Sequence, residues 1–351
     1  MQPQIHGYAD PRFTEVLDSF QKYLDTGEEL GASIAVNIDG ENVVDIWGGF
    51  STEDKTKAWE RDTIVNVFST TKTVCALAAL MLVDRGLLDI NEKVHKYWPE
   101  FAQNGKSEIE VGHILSHTSG LSGWELPMTG EDLLDFDACV AKLEEQKPWW
   151  TPGSASGYHA WTYGYLIGQL VRKVTGRTLR EFVAQGIAGP LGADFEIGVS
   201  EKNWHRVSPI VFPSAEAEIG ATNGHGNARS IATMLSPISL GGEAKGVRLL
   251  SPKTVDLIFH EQSRGIDLAA GMNIRFGLGF GLSAKDTYLG FLPEGRVCTW
   301  GGYGGSIVIM DLDRRMTISY AMNKLPAEAA ALDSGRTQTY VRAIYSAVGA
   351  N

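Results

Sequence analysis

The feature that most constrains the fold is an apolar run of ten residues, Val74 to Val83, with the sequence VCALAALMLV. As a helix, this run would show apolar side chains around its whole circumference. Such a helix has no face that suits water, and it is stable only when other elements cover it on every side. The run is also far shorter than the roughly 20 residues that cross a bilayer. We therefore expect a globular fold built around one buried helix.

Strand patterns lie at both ends of the chain. The segment from Gly31 to Gly49 contains two β-rich runs around Asp39-Gly40, which is a strong hairpin signal. Near the C-terminus, the segments RFGLGFGLS, GGSIVIMDLD and RMTISYAMN are again β-rich. Helical patterns dominate between these ends, from Thr70 to about Gly189.

Further helices are predicted outside that middle region. An amphipathic helix with apolar residues from Phe13 to Leu24 is expected to open the chain, and others are expected over 227–242 and 326–348. In the middle region, the helix over 161–176 ends in Gly176, a typical C-terminal cap.

These patterns predict an α/β (α+β) fold. One antiparallel sheet would be built from both chain ends and flanked by the terminal helices, with an all-α region inserted. The predicted domains are residues 1–68 plus 218–351 for the sheet and residues 69–217 for the helical part. A cleft between two such parts is a natural ligand site.

Composition narrows the class of partner. A formal net charge of −11 and a pI near 5.3 argue against nucleic acid and anionic membranes. No basic segment followed by an apolar core is visible at the N-terminus, so no signal peptide is predicted. Cys75, Cys139 and Cys298 are far apart, which suits neither a disulfide framework nor a zinc site. We expect a cytoplasmic protein without a metal.

Ser-x-x-Lys occurs twice, and only one copy is placed for chemistry. Ser19 and Lys22 fall within an amphipathic surface helix, where the backbone N–H groups are already bonded. Ser69 instead begins the buried helix, where free N–H groups and the helix dipole favour an anion. Lys72 lies on the same helical face.

A buried amine at position 72 is costly unless it is paired or neutral, and an amine beside a serine hydroxyl can activate it. The alternative is that Ser69 caps the helix and that Lys72 extends to solvent.

Two other segments carry groups that suit catalysis. Tyr158 follows a Gly/Ser-rich turn and precedes a helix, so its phenol could face the cleft and act as a general base near Lys72. The segment from Thr299 to Asp311 has four glycines before a strand, which leaves backbone N–H groups accessible for an oxyanion hole. Each also has a plain structural explanation, a packed tyrosine and a glycine-rich turn.

Taken together, these motifs resemble a known superfamily in order and spacing. They are FSTTK (68–72), ILSHTSGL (114–121), TPGSASGYHAW (151–161) and WGGYGGS (300–306). The chain is similar to the serine β-lactamases and DD-peptidases, and more narrowly to the class C-like carboxylesterases (family VIII). The similarity runs from about Gly31 to Asn323.

The resemblance implies an acyl-enzyme mechanism without a cofactor. Ser69 would be the acylated nucleophile, and Lys72 would lower the proton affinity of its neighbours. Tyr158 would be the general base for acylation and the acid for the leaving group. The backbone N–H groups of Ser69 and Tyr303 would form the oxyanion hole.

Two departures from the lactamase pattern indicate the substrate class. The second motif, Tyr-x-Asn in lactamases, is Tyr158-His159-Ala160 here, and the third, Lys-Thr-Gly, is Trp300-Gly301-Gly302. An amide and a cation that would hold a β-lactam are both missing, so we expect a carboxylesterase for neutral esters with short or medium acyl groups.

The expected partner is therefore a small-molecule ester. His117 is expected to hold its turn through hydrogen bonds. The residues expected to contact substrate are Trp300, Gly301, Gly302, His159, Trp161 and His225. The alternatives are an acyltransferase of the same family, a β-lactamase or D-aminoacyl peptidase, and a non-catalytic scaffold.

Overall fold

The computed structural model of the chain describes residues 3–125, 127–210, 223–326 and 335–350. The strands are β1 (Ile5–Ala9), β2 (Gly31–Ile38), β3 (Glu41–Gly49), β4 (Ile64–Asn66), β5 (Phe195–Ile197), β6 (Val207–Ser208), β7 (Gly224–Gly226), β8 (Glu243–Ala244), β9 (Val247–Arg248), β10 (Ser263–Ile266), β11 (Asn273–Phe276), β12 (Gly281–Leu282), β13 (Val297–Gly301), β14 (Ile307–Asp311) and β15 (Met316–Met322). The helices are α1 (Thr14–Thr26), α2 (Thr71–Asp84), α3 (Val111–Leu115), α4 (Phe136–Glu145), α5 (Thr162–Thr175), α6 (Leu179–Val183), α7 (Gly189–Leu191), α8 (Ala228–Ser239), α9 (Pro252–Ile258) and α10 (Gly335–Ala347).

The main sheet joins the two ends of the chain, as the sequence predicts. Its strand order is β1-β3-β2-β15-β14-β13-β12-β11-β10, and every neighbouring pair is antiparallel. The N-terminal strands meet the C-terminal ones where β2 pairs with β15, with Ala35 opposite Ser319. Asp39 and Gly40 both have positive φ angles, 52° and 91°, which is the hairpin turn that this dipeptide favours.

The amphipathic helix predicted near the N-terminus is present as α1, but it is not the first element, because β1 precedes it. This edge strand is mostly exposed and has Gly7 at its centre, so it carries no apolar alternation that would reveal it. The segment that leads into the glycine-rich motif forms a further strand, β13, which the sequence analysis did not predict. Trp300 therefore lies in the sheet.

Helix α2 is buried along almost its entire length. Every residue from Thr71 to Leu82 is buried, including the polar ones. Its neighbours are α5 and α6 from the helical region, α8 and α9 from the sheet side, and β13 of the main sheet. This arrangement confirms that the other elements surround a central helix. The opposite face of the sheet is covered by α1 and α10, which pack against each other.

Parts of two predictions lie outside the described residues. The helix predicted over 326–348 is described only as α10, and the proposed domain boundary at residue 218 falls in the segment 211–222. The domain limits thus stay a prediction. Within the described ranges, no helix is long and apolar enough to cross a membrane.

A buried ion pair ties the C-terminal helix to the sheet. The carboxylate of Glu29, just before β2, accepts hydrogen bonds from Arg336 (3.1 Å) and from the Tyr320 hydroxyl (2.6 Å). Arg336 is 4% exposed and also donates to the Lys324 carbonyl at 2.6 Å. Burial raises the pKa of Glu29, an effect that the Arg336 guanidinium opposes. Removing the guanidinium would leave a carboxylate buried without its counter-charge.

We therefore expect Arg336→Met to lower the free energy of unfolding by about 3–5 kcal/mol, as for other buried pairs that lose one partner. The measurement is urea denaturation at neutral pH. Arg315→Met is the matched control, because Arg315 pairs with Asp39 on the surface and such pairs contribute about 1 kcal/mol or less. Equal effects of the two substitutions would contradict a stabilising role for the buried pair.

Candidate active site

The nucleophile candidate lies on a strained turn. Phe68 to Thr70 form a single 3₁₀ turn that runs directly into α2, and Phe68 has a φ of +46°. A bulky residue rarely adopts a positive φ, and such strain is typical of functional turns. The Phe68 N–H is held by the Asn66 side chain at 2.7 Å. Ser69 is thereby placed where the first free N–H groups of the helical segment begin.

Lys72 lies buried beside Ser69, which agrees with the sequence-based expectation. It is 2% exposed, and its Nζ is 3.0 Å from Ser69 Oγ and 2.8 Å from the Ala160 carbonyl oxygen. Nζ also lies 4.9 Å from the centre of the Tyr158 ring. Among the described residues, no carboxylate forms an ion pair with it. In this position the Lys72 amine contacts the serine hydroxyl and forms no salt bridge with a described carboxylate.

Tyr158 completes the cluster, and its hydroxyl contacts a tryptophan. Trp300 Nε1 donates to the Tyr158 hydroxyl oxygen at 3.1 Å, and the two rings are 5.1 Å apart. An indole N–H can only donate, so the phenolic oxygen is an acceptor here. Lys72 contacts the ring face of Tyr158, and no hydrogen bond joins the Tyr158 hydroxyl to Lys72 or to Ser69. The three predicted catalytic residues are thus brought together around Lys72.

Two backbone N–H groups are available for an oxyanion. In the part of the chain that the structure describes, neither the Ser69 N–H nor the Tyr303 N–H donates a hydrogen bond. Gly302, between Trp300 and Tyr303, must be glycine, because a Cβ there would lie 2.3 Å from the Val67 carbonyl oxygen. This close approach brings the glycine-rich turn against the nucleophile turn.

A serine that the sequence analysis did not single out holds these two turns together. Ser306 Oγ donates to the Val67 carbonyl at 2.9 Å and lies 3.1 Å from the Thr70 hydroxyl. The Ser306 carbonyl also accepts the Gly302 N–H at 2.6 Å. Ser306 is the last residue of the WGGYGGS motif, so the sequence analysis included its position. A buried hydrogen bond between distant segments, however, has no sequence pattern that would reveal it.

The two histidines next to Tyr158, His117 and His159, have structural roles. His159 is completely buried, and its ring nitrogens lie 2.6 Å from Ser119 Oγ and 2.7 Å from the Gly157 carbonyl. The His117 ring accepts the His159 N–H at 3.1 Å and packs against Tyr158. The expectation that His159 contacts substrate does not fit this burial, since no part of it reaches the cleft. The expectation that His117 has a structural role through hydrogen bonds agrees with the bond that it accepts from His159.

The remaining predicted substrate contacts differ in exposure. Trp300 is 2% exposed and packs against Phe276, so it offers little surface to a ligand, and its indole N–H is bonded to Tyr158. Trp161 is half-buried at the start of α5. His225 lies on β7 opposite Asn66 of β4.

His225 also lines a small cavity of about 310 Å³, together with Val199, Trp204, Val207 and Asn223. Gly301 and Gly302 are buried in the approach to the oxyanion site. Over the described residues, no group of acidic, histidine or cysteine side chains is arranged to hold a metal.

Burial of these histidines makes stability depend on pH. Burial lowers the pKa of His159 to about 4 and that of His117 well below its usual value. Between about pH 6.5 and 4 the unfolded chain therefore binds more protons than the folded one, and the free energy of unfolding falls as pH falls. His159 alone accounts for up to about 3 kcal/mol.

We expect the loss of stability between pH 6.5 and 4 to be smaller in His159→Gln than in the wild type. Denaturant titrations across this range measure it. His260→Gln, at an exposed position, is the control and should keep the wild-type slope. Parallel slopes for all three proteins would contradict the assignment of a neutral, buried His159.

Known proteins resemble this chain in sequence and in fold. The family model described as Beta-lactamase matches residues 17–340. The esterase/beta-lactamase LipL of Mycobacterium tuberculosis is 32% identical over 367 aligned positions, which cover 92% of this chain and 83% of that protein.

Two crystal structures each share 33% identity and a TM-score of 0.91, over 98% of this chain and 100% of theirs. They are a family VIII carboxylesterase and a penicillin-binding protein homologue from Caulobacter crescentus. With most of its length matched by the family model, and with a relative above 30% identity along nearly the whole chain, this protein belongs to the beta-lactamase family.

Proposed function

We propose that this protein is a serine carboxylesterase that forms an acyl-enzyme on Ser69. The observation that carries the proposal is the 3.0 Å contact between Ser69 Oγ and a buried Lys72 that has no carboxylate partner among the described residues. Burying a lysine without a counter-charge costs free energy, and activation of the serine best explains why this lysine is buried. The names of the relatives, an esterase/beta-lactamase and a family VIII carboxylesterase, support the same activity.

In acylation, Tyr158 in its phenolate form accepts the proton of the Ser69 hydroxyl and becomes the neutral phenol, while Oγ attacks the ester carbonyl carbon. The positive amine of Lys72 on the ring face and the indole N–H of Trp300 both stabilise negative charge on the phenol. The N–H groups of Ser69 and Tyr303 are free to bind the oxyanion. In an enzyme without substrate, such contacts are often longer than in the reacting complex.

Tyr158 then returns the proton to the departing alcohol. In the second step a water molecule attacks the acyl carbonyl carbon, and Tyr158 takes a proton from that water. Tyr158 passes this proton to Ser69 Oγ as the bond between Oγ and the acyl group breaks, and the free acid leaves.

The substrate is proposed to be a neutral ester with a short or medium acyl group. Trp300 stands where the related lactamases have a lysine, and it contributes a hydrogen-bond donor without a charge. Ala160 stands where they have an asparagine, and its carbonyl accepts from Lys72. The net charge of −11 supports a small-molecule partner and argues against nucleic acid. A cytoplasmic location is part of the same proposal.

Hydrolysis of β-lactams is a second candidate, favoured by one observation, the esterase/beta-lactamase description of LipL. An acyltransferase would use the same acyl-enzyme with an alcohol in place of water. Both alternatives share Ser69 and Lys72, whereas a non-catalytic scaffold would need neither.

We expect Ser69→Ala and Lys72→Ala each to reduce hydrolysis of p-nitrophenyl butyrate by about 10³-fold or more, since both remove the activated nucleophile. The controls are Ser19→Ala and Lys22→Ala, the second Ser-x-x-Lys pair, which lies on the outer helix α1. They should keep wild-type rates.

A chromogenic cephalosporin assayed in parallel should be opened slowly or not at all. Near-normal ester hydrolysis by Ser69→Ala would refute the acyl-enzyme, and rapid cephalosporin opening would favour the lactamase.

We expect Trp300→Phe to lower kcat/KM for the same ester by about 10-fold or more. Phenylalanine keeps the aromatic packing but removes the N–H that bonds to Tyr158, and a hydrogen bond to a charged group contributes about 1.5–3 kcal/mol.

Trp98→Phe is the matched control, because it removes a buried indole hydrogen bond to Glu144 in the helical region. If both substitutions leave kcat/KM unchanged, Trp300 does not act on Tyr158.

A further inference from the structure

A buried carboxylate outside the predicted site holds the backbone of Tyr158. Asp267 is 0% exposed and lies between β10 and β11, at the edge of the main sheet. Its Oδ1 accepts the Tyr158 N–H at 2.8 Å. The same oxygen accepts the N–H groups of Ala269 (3.0 Å) and Ala270 (2.8 Å), which fix its own turn.

A second hydrogen bond makes this a two-point attachment. The Leu268 N–H donates to the Ser156 carbonyl at 2.8 Å, two residues before Tyr158. The turn at 267–271 is closed by its own backbone bonds between Asp267 and Met272 and between Gly271 and Asp267. A fixed turn of the sheet is thus joined to the segment that carries the phenol, although 109 positions separate Asp267 from Tyr158.

The attachment matters because no helix or strand positions Tyr158. In the described structure, the segment between Thr151 and Trp161 is irregular, and α5 begins only at Thr162. Irregular segments shift more readily than regular elements. A displacement of about 1 Å at a catalytic group can reduce a rate by about 10²-fold. The phenol therefore depends on side-chain anchors of this kind.

The other carboxylate oxygen supports a specific purpose for this residue. Asp267 Oδ2 is buried and has no hydrogen-bond partner in the described part of the chain. Burying an unsatisfied polar atom is unfavourable, and each such atom in a native structure calls for an explanation. The placement of Oδ1, which accepts three backbone N–H groups including that of Tyr158, is the gain that accompanies this cost.

We propose that Asp267 is a positioning residue that fixes the backbone of Tyr158, so that the phenol stays aligned with Ser69 and Lys72. The inference rests on the proposed function, because it concerns the proton transfer assigned to Tyr158. It adds a contribution from the sheet edge to a site otherwise built from the nucleophile turn, the irregular segment and β13.

The test compares three substitutions in the full-length protein, with p-nitrophenyl butyrate as the substrate. Asp267→Ala removes the acceptor, Asp267→Glu moves it by one methylene group, and Asp267→Asn keeps an oxygen at the Oδ1 position. Asp286→Asn is the control, because Asp286 pairs with Arg264 at the same sheet edge on the surface.

We expect Asp267→Ala and Asp267→Glu to lower kcat by at least about tenfold, with KM within about twofold of the wild type. Asp267→Asn should restore kcat to within about threefold, and Asp286→Asn should match the wild type. Denaturation curves show which variants are folded. If Asp267→Ala does not fold, the contrast between the glutamate and asparagine variants decides.

The proposal is overturned if both Asp267→Ala and Asp267→Glu keep more than half of the wild-type kcat. It is also overturned if Asp267→Asn loses as much kcat as they do, or if KM rises while kcat stays constant. These outcomes differ from failure of the proposed function, in which the wild type and Ser69→Ala would hydrolyse the ester equally poorly.

Discussion

The rest of the structure depends on the burial of one amine, that of Lys72, on a helix that is otherwise mostly apolar. Such a group is stable there only if its hydrogen bonds are satisfied without water. The Ser69 hydroxyl, the Ala160 carbonyl and the face of the Tyr158 ring supply these contacts. Because α2 has no polar face, both the helical region and the sheet must cover it, and the site lies where they meet. The same packing that stabilises the fold therefore also brings together the residues that we propose to be catalytic.

The second constraint is registry between chain segments that are far apart in sequence. The two N–H groups that we propose to bind the oxyanion come from the turn that carries Ser69 and from the turn after β13, and Ser306 joins these turns through Val67 and Thr70. Trp300 at the end of β13 bonds to Tyr158. The pairing of β13 with β14, and of β15 with β2, fixes this strand within a sheet drawn from both chain ends. The site therefore forms only when the strands from both chain ends have paired in this sheet.

The sequence was sufficient for the parts of the structure that depend on local pattern. An all-apolar helix, a hairpin at Asp39-Gly40 and a capped helix ending at Gly176 each have a local physical signature, and all three are present. The contact between Ser69 and Lys72 follows from helical spacing. Tyr158 was singled out by its position between a Gly/Ser-rich turn and a helix, and the resemblance then implied its role.

What the sequence did not predict depends on contacts made at a distance. Ser306 and Asp267 act through hydrogen bonds to segments more than 100 positions away, and such bonds leave no periodicity. His159 was expected in the cleft because it adjoins Tyr158, yet successive residues of an irregular segment can face opposite directions, and this one faces the interior. The edge strand β1 lacks an apolar alternation because its three central residues are exposed.

Trp300, a neutral hydrogen-bond donor, stands where the related lactamases have a lysine, and this difference changes the charge of the whole site. A lysine there would place a second positive charge near Lys72 and favour anionic substrates. The Trp300 indole still donates to Tyr158, but it adds no long-range field that would attract a carboxylate. Since Lys72 has no ion-pair partner in the described residues, its own charge is most useful when a phenolate or an oxyanion forms beside it. The site is thereby arranged to stabilise charge that develops during the reaction rather than charge that the substrate brings with it.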